Sequence, residues 1–380
     1  MTEGQILPPS KCLALARERF DAARDFTVAV EEEFALLDPD TLDLTNRFEE
    51  LQSLAVGRKV ESHLTGELIA SEAEVRTGCC ESFSEVAERM GCRRGQLRSL
   101  AAELGVLLGA AGTHPWSSWK EQRILDTPHD QRNNDYLRYA AWRDDTFGLH
   151  VHVGIRGADR AVRVASCMRN FLPELLALSA SSPFVEGVNS GLHSTRTQIF
   201  TRALPRCGVP GAFANWEEYE RFVRILYDTG SISEPAQLWW SVRTHLAFPT
   251  VEVRIADAQP DIGEARSLAA LTYALVARCA RALDEGEPFV WRQSRMIEEN
   301  LWRAIRWGLQ GEMIDLATLK VRPTRVALEE LIEWVLPVAE EMGVTSYLTI
   351  PQQNSAERQI ARFEEGASLR EIYAELVAPS

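Results

Sequence analysis

In GLHVHVG, residues 148–154, apolar and polar side chains alternate strictly, and this stretch decides the fold of the chain. Successive side chains of an extended strand point to opposite faces, so His150 and His152 share one face, while the leucine and the two valines fill the other. Strict alternation is typical of an antiparallel sheet with one buried and one polar face. We therefore predict a strand over residues 147–155 that carries two imidazoles on its polar face.

The same alternation occurs in two other segments, and each also puts a polar pair on one face. The pairs are Glu31 and Glu33 within residues 26–37, and Glu252 and Arg254 within residues 250–257. One such pair alone would indicate only a solvated strand face. If the three strands are neighbours in one sheet, however, carboxylates, imidazoles and a guanidinium gather on one concave face. That combination indicates a site for divalent cations and phosphate groups.

The residue types on this face favour magnesium over zinc. Carboxylate oxygens suit Mg²⁺ and Mn²⁺, and an imidazole ligand is accepted by Mn²⁺ and by Mg²⁺ in rigid sites. His150, His152 and one glutamate could form a tetrahedral zinc site, but the further carboxylates exceed what zinc uses. We therefore expect Mg²⁺ bound together with ATP, and the sequence leaves Mn²⁺ open as an alternative.

The remaining patterns predict an α+β fold. A fourth, weaker strand is predicted at residues 67–77. Helical periodicity occurs at residues 84–104, 159–180, 216–227, 264–283, 291–309, 325–342 and 355–364, with Asp159 as the expected N-cap of the second of these helices. Strands and helices do not alternate regularly, which argues against a βαβ fold.

We predict one large domain at residues 20–378. Its sheet-bearing part covers residues 26–260, and its C-terminal part, residues 263–378, is helical because strand patterns nearly vanish there. No G-x-x-x-x-G-K-[ST] loop and no G-x-G-x-x-G loop occurs, so a bound nucleotide would be held by other means.

Charge and cysteine usage exclude several classes of partner. The net charge of −14, from 41 basic and 55 acidic residues, repels nucleic acid and anionic lipid. No signal-peptide pattern and no run of 18 apolar residues is found, so we expect no membrane partner. The seven cysteines lack C-x-x-C spacing, which favours a reduced cytoplasmic protein. The sequence leaves the oligomeric state open, a homo-oligomer included.

Four motifs resemble, in the same order, those of the carboxylate-amine ligase family, also called type-two glutamate-cysteine ligases. They are VEEEF at residues 30–34, GTHP at 112–115, GLHVHVG at 148–154 and TVEVR at 250–254. The stretch from Ser182 to Phe200 fits the same family. The resemblance covers residues 26–260 and implies a glutamine-synthetase-like fold, a curved antiparallel sheet with helices packed on one side.

The resemblance also implies roles for the polar pairs. In the glutamine-synthetase-like superfamily, E-x-E, H-x-H and E-x-R motifs on antiparallel strands hold metal ions and the phosphates of ATP. The residues implied for the metal that bridges the nucleotide phosphates are Glu31, His150 and Glu252. The residues implied for a second metal, nearer the acceptor substrate, are Glu33 and Glu74, with Glu67 as a third carboxylate.

Four further roles concern ATP and the substrates. By the resemblance, Arg254 is the catalytic residue that lies against the transferring phosphoryl group, and His152 lines the nucleotide site. Arg196 and Arg243 are our candidates for binding the substrate carboxylates, because a guanidinium binds a carboxylate bidentately.

The resemblance implies an ATP-dependent carbon–nitrogen ligase, with glutamate as the expected acid and cysteine or another amine as acceptor. A carboxylate reacts with an amine at neutral pH only after its oxygen becomes a good leaving group, and phosphorylation to an acyl-phosphate achieves this. Preplaced Mg²⁺ and arginine offset the charge of the transferring phosphoryl group. Two alternatives remain open: a phosphotransferase of the same fold, and a nucleotide- or metal-binding protein without turnover.

Three positions depart from the simple pattern. Glu32 puts a charge on the core face of the first strand, so we expect it to reach the rim of the sheet or to pair with an arginine. Ser241 occupies a position that more often carries Asp in the family. Glu67 and Glu74 have opposite parity, so both can face the site only if a bulge or turn lies between them.

Overall fold

A computed structural model of the protein describes residues 8–288 and 291–377. The strands are β1 (Val28–Leu37), β2 (Leu64–Thr65), β3 (Glu72–Arg76), β4 (Leu107–Gly109), β5 (Gly148–Gly154), β6 (Phe184–Val185), β7 (Val188–Asn189), β8 (Val242–His245), β9 (Thr250–Asp257), β10 (Glu312–Ile314) and β11 (Val321–Pro323). The helices are α1 (Pro9–Ala22), α2 (Phe48–Ala55), α3 (Phe83–Leu104), α4 (Pro128–Leu137), α5 (Tyr139–Trp142), α6 (Ala158–Met168), α7 (Leu172–Ser179), α8 (Thr195–Ala203), α9 (Trp216–Asp228), α10 (Ile262–Asp284), α11 (Ser294–Trp307), α12 (Thr324–Glu341), α13 (Ser355–Glu364) and α14 (Leu369–Leu376).

The main sheet is antiparallel and has the strand order β2-β3-β1-β5-β9-β8, with β4 paired to the end of β1. The strand that contains GLHVHVG therefore lies between the two other strands that carry polar pairs, which meets the condition for a shared polar face. The prediction for β9 matches residue for residue. β1 begins at Val28 rather than at residue 26 because Phe26 has a left-handed backbone conformation, with φ 62°.

The apolar face of this sheet is covered by helices. Val30, Val151 and Val253 are almost completely buried on the central strands, and α3, α6, α7 and α10 pack against the same core. α10 is buried along most of its length, because it lies between the sheet and the C-terminal helix α12. This arrangement confirms the predicted α+β class, an antiparallel sheet with helices packed on one side.

One predicted helix is divided in two. Residues 159–180 form α6 and α7, separated by a 3₁₀ turn at Arg169–Phe171. Pro173 lies in the first turn of α7, where its missing N–H costs nothing, and it cannot continue the preceding helix. The prediction of Asp159 as N-cap is wrong, because that position is Gly157. The Asp159 carboxylate instead accepts a hydrogen bond from the backbone N–H of Trp216 at 2.8 Å.

The C-terminal part is helical, and α13 matches its prediction. It also contains a short hairpin, β10 and β11, that the sequence did not indicate. The hairpin is fixed by the buried amide of Asn300, which bonds both the N–H and the carbonyl of Ile314 at 2.8 and 2.7 Å. The predicted end of the domain at residue 378 lies outside the described residues, and the extent of a single domain stays a prediction.

Two bulk properties complete the description. All seven cysteines are free. Within the described residues, no helix combines the length and the apolar character needed to cross a lipid bilayer.

Glu32, on the core face of β1, forms an ion pair with an arginine. This confirms one of the two expectations for its charge. Arg94 in α3 donates to Glu32 Oε1 from Nη2 at 2.6 Å, and both side chains are almost completely buried. Nη1 of the same guanidinium donates to the carbonyl of Pro260 at 3.1 Å, and Nη2 also donates to that of Gln259 at 2.9 Å. This ion pair therefore joins β1 and α3 to the chain that leaves β9.

Replacing Arg94 with alanine should lower the free energy of unfolding by about 3–5 kcal/mol, because Glu32 would remain buried without its partner. Urea unfolding measures the loss. Arg58→Ala is the control, since Arg58 pairs with Glu103 at 2.6 Å in an exposed position and should cost less than about 1 kcal/mol. Equal losses for the two variants would show that the buried pair does not stabilise the fold.

Candidate functional site

The polar pairs of β1, β5 and β9 lie side by side on the sheet face opposite the helical core. Glu31 lies opposite His150 in the pairing of β1 with β5. His152 lies opposite Glu252 in the pairing of β5 with β9. The E-x-E, H-x-H and E-x-R motifs therefore form one continuous polar surface, which the alternation of side chains along each strand predicts.

A first group of potential metal ligands is centred on Glu31. One Glu31 carboxylate oxygen lies 3.5 Å from His150 Nδ1 and 3.4 Å from His152 Nε2. His152 Nε2 lies 3.8 Å from Glu252 Oε1. Ligand atoms of Glu31, His152 and Glu252 all lie within 4.8 Å of one another, as do those of Glu31, His150 and Glu74. Of the residues that the resemblance implies for the first metal, Glu31 thus lies within reach of His150 in one group and of Glu252 in the other, and it is His152 rather than His150 that shares a group with Glu252. The role of this set stays a prediction.

A second group consists of carboxylates only. Glu33, Glu67 and Glu74 offer oxygens within 4.8 Å of one another. Glu33 and Glu74 are directly paired across β1 and β3. Glu67 lies before β3, which begins only at Glu72, so the predicted strand at residues 67–77 is shorter than expected. The chain between Glu67 and Glu72 is irregular, and this interruption lets Glu67 and Glu74 face the same site despite their opposite parity.

The unpaired atoms of this surface fit a bound cation. The Nε2 atoms of His150 and His152 are both buried and have no hydrogen-bond partner. A buried imidazole nitrogen normally finds a donor or acceptor, and a metal ion supplies such a partner. Mg²⁺ and Mn²⁺ both fit a donor set of several carboxylates and one or two imidazoles.

Buried acidic groups also repel one another on this surface. Burial, and then repulsion from Glu31, raise the pKa of Glu74 to about 7 against the pull of Arg76. Burial, followed by repulsion from Glu74 and Glu33, raises the pKa of Glu67 well above its usual range. A divalent cation between these carboxylates would relieve the repulsion and favour their ionised forms.

Two carboxylates remain ionised despite their burial. Burial opposes the charge of Glu31, but the facing imidazoles and Arg76 hold its pKa well below the usual range. Burial likewise opposes the charge of Glu252, and Arg243 and Arg254 outweigh it, so its pKa is also well below the usual range. The centre of the sheet therefore keeps two permanent negative charges.

Arg254 reaches both groups of ligands. Its Nη1 donates to Glu252 Oε1 at 2.5 Å and lies 3.3 Å from His150 Nδ1. The same side chain lines an acidic cavity together with Glu33 and Glu67. The pairing of β5 with β9 shifts register between Leu149 and Val151, so Arg254 lies at a β-bulge. Such a bulge redirects a side chain and here turns the guanidinium toward the cavity.

Arg196 stabilises this bulge from the side. It lies in the first turn of α8, is almost completely buried, and directs Nη1 to the carbonyl of Ile255 at 3.3 Å and Nη2 to that of Arg254 at 3.5 Å. A Cβ atom at Gly148 would overlap this guanidinium, which explains the glycine at the start of β5. Arg196 also lines the acidic cavity and its Nε has no partner. Its predicted contact with a substrate carboxylate stays a prediction.

Arg243 has a different environment. Its Nε and Nη2 donate to the two oxygens of Glu252 at 2.6 and 3.2 Å, and Nη1 donates to the carbonyls of Leu238 and Ala236. The guanidinium is thus occupied by protein atoms and holds Glu252 in place. Ser241 directly precedes β8, and its backbone carbonyl accepts a hydrogen bond from the backbone N–H of Arg254 at 2.8 Å. The predicted substrate contact of Arg243 also stays a prediction.

Three acidic residues of the cavity, Glu72, Asp130 and Asp144, were missed by the sequence analysis. Glu72 lines the cavity and is almost completely buried. Glu72 lies two residues before Glu74 on β3, so both side chains share one face of the strand, and this spacing could have revealed it. Asp144 lines the same cavity but lies in a loop after α5, where sequence alone gives no indication of the direction of its side chain.

A second, mostly apolar cavity adjoins the first metal group. It is bounded by Glu31 and His152 on one side and by Phe248, Pro249 and Ala29 elsewhere. His152 is held there by a contact of 3.0 Å between its Nδ1 and the hydroxyl of Thr250. An apolar slot beside a cluster of metal ligands is suited to a flat ring that carries phosphate groups at one end.

Comparisons of the sequence identify relatives along nearly the whole chain. Residues 27–363 match the profile of the family described as glutamate-cysteine ligase family 2. A Gloeobacter violaceus protein assigned as glutamate-cysteine ligase 2 is 38% identical over 365 residues, which cover 94% of this chain and 98% of the relative. A Rubrobacter xylanophilus protein assigned as glutamate-cysteine ligase 2-3 is 41% identical over 330 residues, or 87% of this chain and 89% of that one.

Two solved structures share the fold at low sequence identity. A bifunctional glutathione synthetase from Pasteurella multocida superposes with a TM-score of 0.67 at 13% identity and covers 97% of this chain, which spans 53% of that larger protein. The glutamate-cysteine ligase of Francisella tularensis, solved in complex with AMP, gives a TM-score of 0.65 at 13% identity and covers 93% of this chain and 89% of that one. At this identity the likeness concerns the fold alone.

Binding of Mn²⁺ should weaken as the pH falls through about 7, because the pKa of Glu74 is about 7 and a protonated carboxyl group is a poor metal ligand. Calorimetric titration at about pH 8 and about pH 6 should show roughly tenfold lower affinity at the lower pH. Glu74→Gln should bind weakly at both values. Glu103→Gln, which changes an exposed carboxylate far from the site, should behave as the wild type. A pH-independent affinity would contradict Glu74 as a ligand.

Proposed function

We propose that this chain, which belongs to glutamate-cysteine ligase family 2, joins a carboxylate of glutamate to the amino group of cysteine at the expense of ATP. The observation that carries the proposal is the single polar surface on which two groups of metal-ligating atoms are linked by Arg254. The relatives assigned as glutamate-cysteine ligases support the choice of substrates. The cytoplasmic location stays a prediction, and the oligomeric state stays open.

The metal sites of the proposal follow the two groups of ligands. Glu31, His150 and Glu252 would hold the cation nearest the nucleotide, and His152 would complete the site, because its ligand atom lies within 4.8 Å of those of Glu31 and Glu252. Glu33, Glu67 and Glu74 would hold a second cation toward the acidic cavity. Mg²⁺, or Mn²⁺ in its place, would supply positive charge that offsets the phosphate oxygens during phosphoryl transfer.

The apolar slot beside His152 is the proposed position of the nucleotide base. It opens next to Glu31 on the edge of the first metal group, which suits a base at one end and phosphates over the sheet. The slot explains how a chain without a phosphate-binding glycine loop could hold ATP. His152 would separate the base from the phosphate-binding surface.

Arg254 is the residue proposed to act on the reacting groups. In the first step a carboxylate oxygen of the acid attacks the γ-phosphorus, and the bond between this phosphorus and the β-γ bridging oxygen breaks to release ADP. Negative charge spreads over the phosphoryl oxygens, and the guanidinium of Arg254, fixed by Glu252 and by the bulge, is positioned to offset it.

The second step forms the amide bond. The ammonium group of the acceptor loses one proton to solvent, and its nitrogen attacks the acyl carbon. The bond from that carbon to the phosphate oxygen breaks, and the second proton of the nitrogen passes to the departing phosphate. The acidic cavity, which is walled by Phe200, Leu204 and Trp239 on its apolar side, is the proposed place for the acid and the acceptor. Arg196, with its unpartnered Nε, is the better placed of the two candidate arginines for a substrate carboxylate.

Phosphate release and product mass test the ligase function together. Wild-type protein with ATP, Mg²⁺, glutamate and cysteine should release phosphate and form the dipeptide, and EDTA should stop both. Arg254→Lys and His150→Ala should lower the rate by at least about a hundredfold, because a point charge does not replace the planar fork and the metal loses an imidazole. Arg17→Lys, an exposed change on α1, is the control.

The outcome also separates the alternatives. Nucleotide turnover that leaves a stable phosphorylated acid, whether or not an amine is present, would indicate a phosphotransferase. Nucleotide and metal binding without any turnover would indicate a binding protein. Wild-type rates in both site variants would contradict the proposed roles of Arg254 and His150.

A further inference from the structure

One carboxylate of the acidic cavity is left without a role by the proposed ligase site. Asp144 lines the same cavity as Glu33 and Arg254. Thr146 donates a hydrogen bond to it from Oγ1 at 3.2 Å. Asp144 belongs to none of the groups of metal-ligating atoms found among the described residues. It is therefore not accounted for by the binding of metal.

No basic side chain in residues 8–288 or 291–377 forms a salt bridge with Asp144. The two arginines nearest to it along the chain are engaged elsewhere, since Arg138 pairs with Asp135 and Arg143 with Glu186. The other non-metal acids of the cavity differ from Asp144. Asp130 donates its backbone N–H to the hydroxyl of Thr127, the N-cap residue of α4, and its carboxylate accepts a hydrogen bond from that hydroxyl, so its charge supports that helix.

Glu72 differs in its charge state. Burial, followed by repulsion from Glu33 and Glu67, raises the pKa of Glu72 well above its usual range, which favours the neutral form. Burial and then repulsion from Glu33 raise the pKa of Asp144 only to about 6, so it is ionised at neutral pH. Arg196 and Arg254, in the same cavity, lower the pKa of Asp144, but they donate to the backbone of β9 and to Glu252 respectively. Asp144 is thus an ionised carboxylate that forms no salt bridge within the described residues and lines a cavity large enough for solvent.

We propose that Asp144 binds the ammonium group of the acceptor amine and holds its nitrogen near the reacting carboxylate. The inference rests on the proposed ligase function and adds a residue for the second substrate. Amines with an alkyl substituent carry a positive charge at neutral pH, and a carboxylate within a partly enclosed cavity attracts that charge more strongly than one in bulk water. The apolar wall formed by Phe200, Leu204 and Trp239 would then contact the rest of the acceptor.

The proposed role predicts a dependence on the charge of the acceptor. L-Cysteine arrives as an ammonium ion, whereas hydroxylamine is largely neutral at neutral pH and reacts with an acyl-phosphate to give a hydroxamate. A residue that binds the ammonium group should matter for the first acceptor and not for the second. A residue that only supports the fold or the phosphorylation step should affect both acceptors equally.

The experiment uses the full-length protein with ATP, Mg²⁺ and glutamate, and compares L-cysteine with hydroxylamine in the wild type and in Asp144→Asn. We expect kcat/KM for cysteine to fall by about tenfold or more, mainly through KM, while hydroxamate formation changes less than about twofold. Asp144→Glu keeps the charge and should recover part of the cysteine activity. Asp135→Asn, a change of an exposed aspartate on α4, should leave both activities unchanged.

Urea unfolding of each variant establishes that it is folded before the rates are compared. Equal losses with both acceptors, or no loss with cysteine, would overturn the inference while leaving the ligase function in place. Wild-type protein that uses hydroxylamine but no ammonium-bearing acceptor would overturn it as well. Absence of phosphate release with every acceptor in the wild type would instead reject the ligase function, and the inference with it.

Discussion

The register of β5 against β1 and β9 is the constraint on which the rest of the structure depends. Because side chains alternate with period two, a slip of one residue would turn His150 and His152 into the helical core and Val151 onto the charged face. The hydrophobic core and the polar site are therefore two consequences of one pairing. The bulge at Arg254 adds a local change to this register without disturbing the apolar face.

Buried charge is handled in two ways in this protein. Glu32 with Arg94, and Glu252 with Arg243 and Arg254, are compensated by hydrogen-bonded arginines, and these pairs join separate parts of the chain. Glu67, Glu72 and Glu74 are instead crowded together without enough positive charge, and their pKa values are raised. Compensation within the protein supports the fold, whereas uncompensated charge on one face favours a cationic ligand. The pair of Glu32 and Arg94 is therefore structural, whereas Glu252, although it is compensated by two arginines, is also one of the proposed metal ligands.

The sequence predicted the strands more reliably than their surroundings. Strict alternation gave the central strands and the faces of their polar pairs, because the period of two is a local property of extended backbone. The local pattern gave wrong predictions where contacts with distant residues determine the structure. The helix expected at residues 159–180 is interrupted near Pro173, and Asp159 serves Trp216 rather than its own helix. The sequence could predict that the partner of Glu32 is an arginine but not which one, because Arg94 lies 62 residues away in the chain.

By itself, the sequence determined the fold class, the family and the E-x-E, H-x-H and E-x-R residues, because each of these is carried by a few neighbouring positions. Only the tertiary structure decided which other side chains lie beside the residues of these three motifs. The chain between Glu67 and Glu72 turns so that Glu67 meets Glu33 and Glu74. The loop after α5 brings Asp144 to the same cavity, and Arg243 is bound to Glu252. The direction of a side chain outside regular structure depends on contacts between distant segments, and no local periodicity records those contacts.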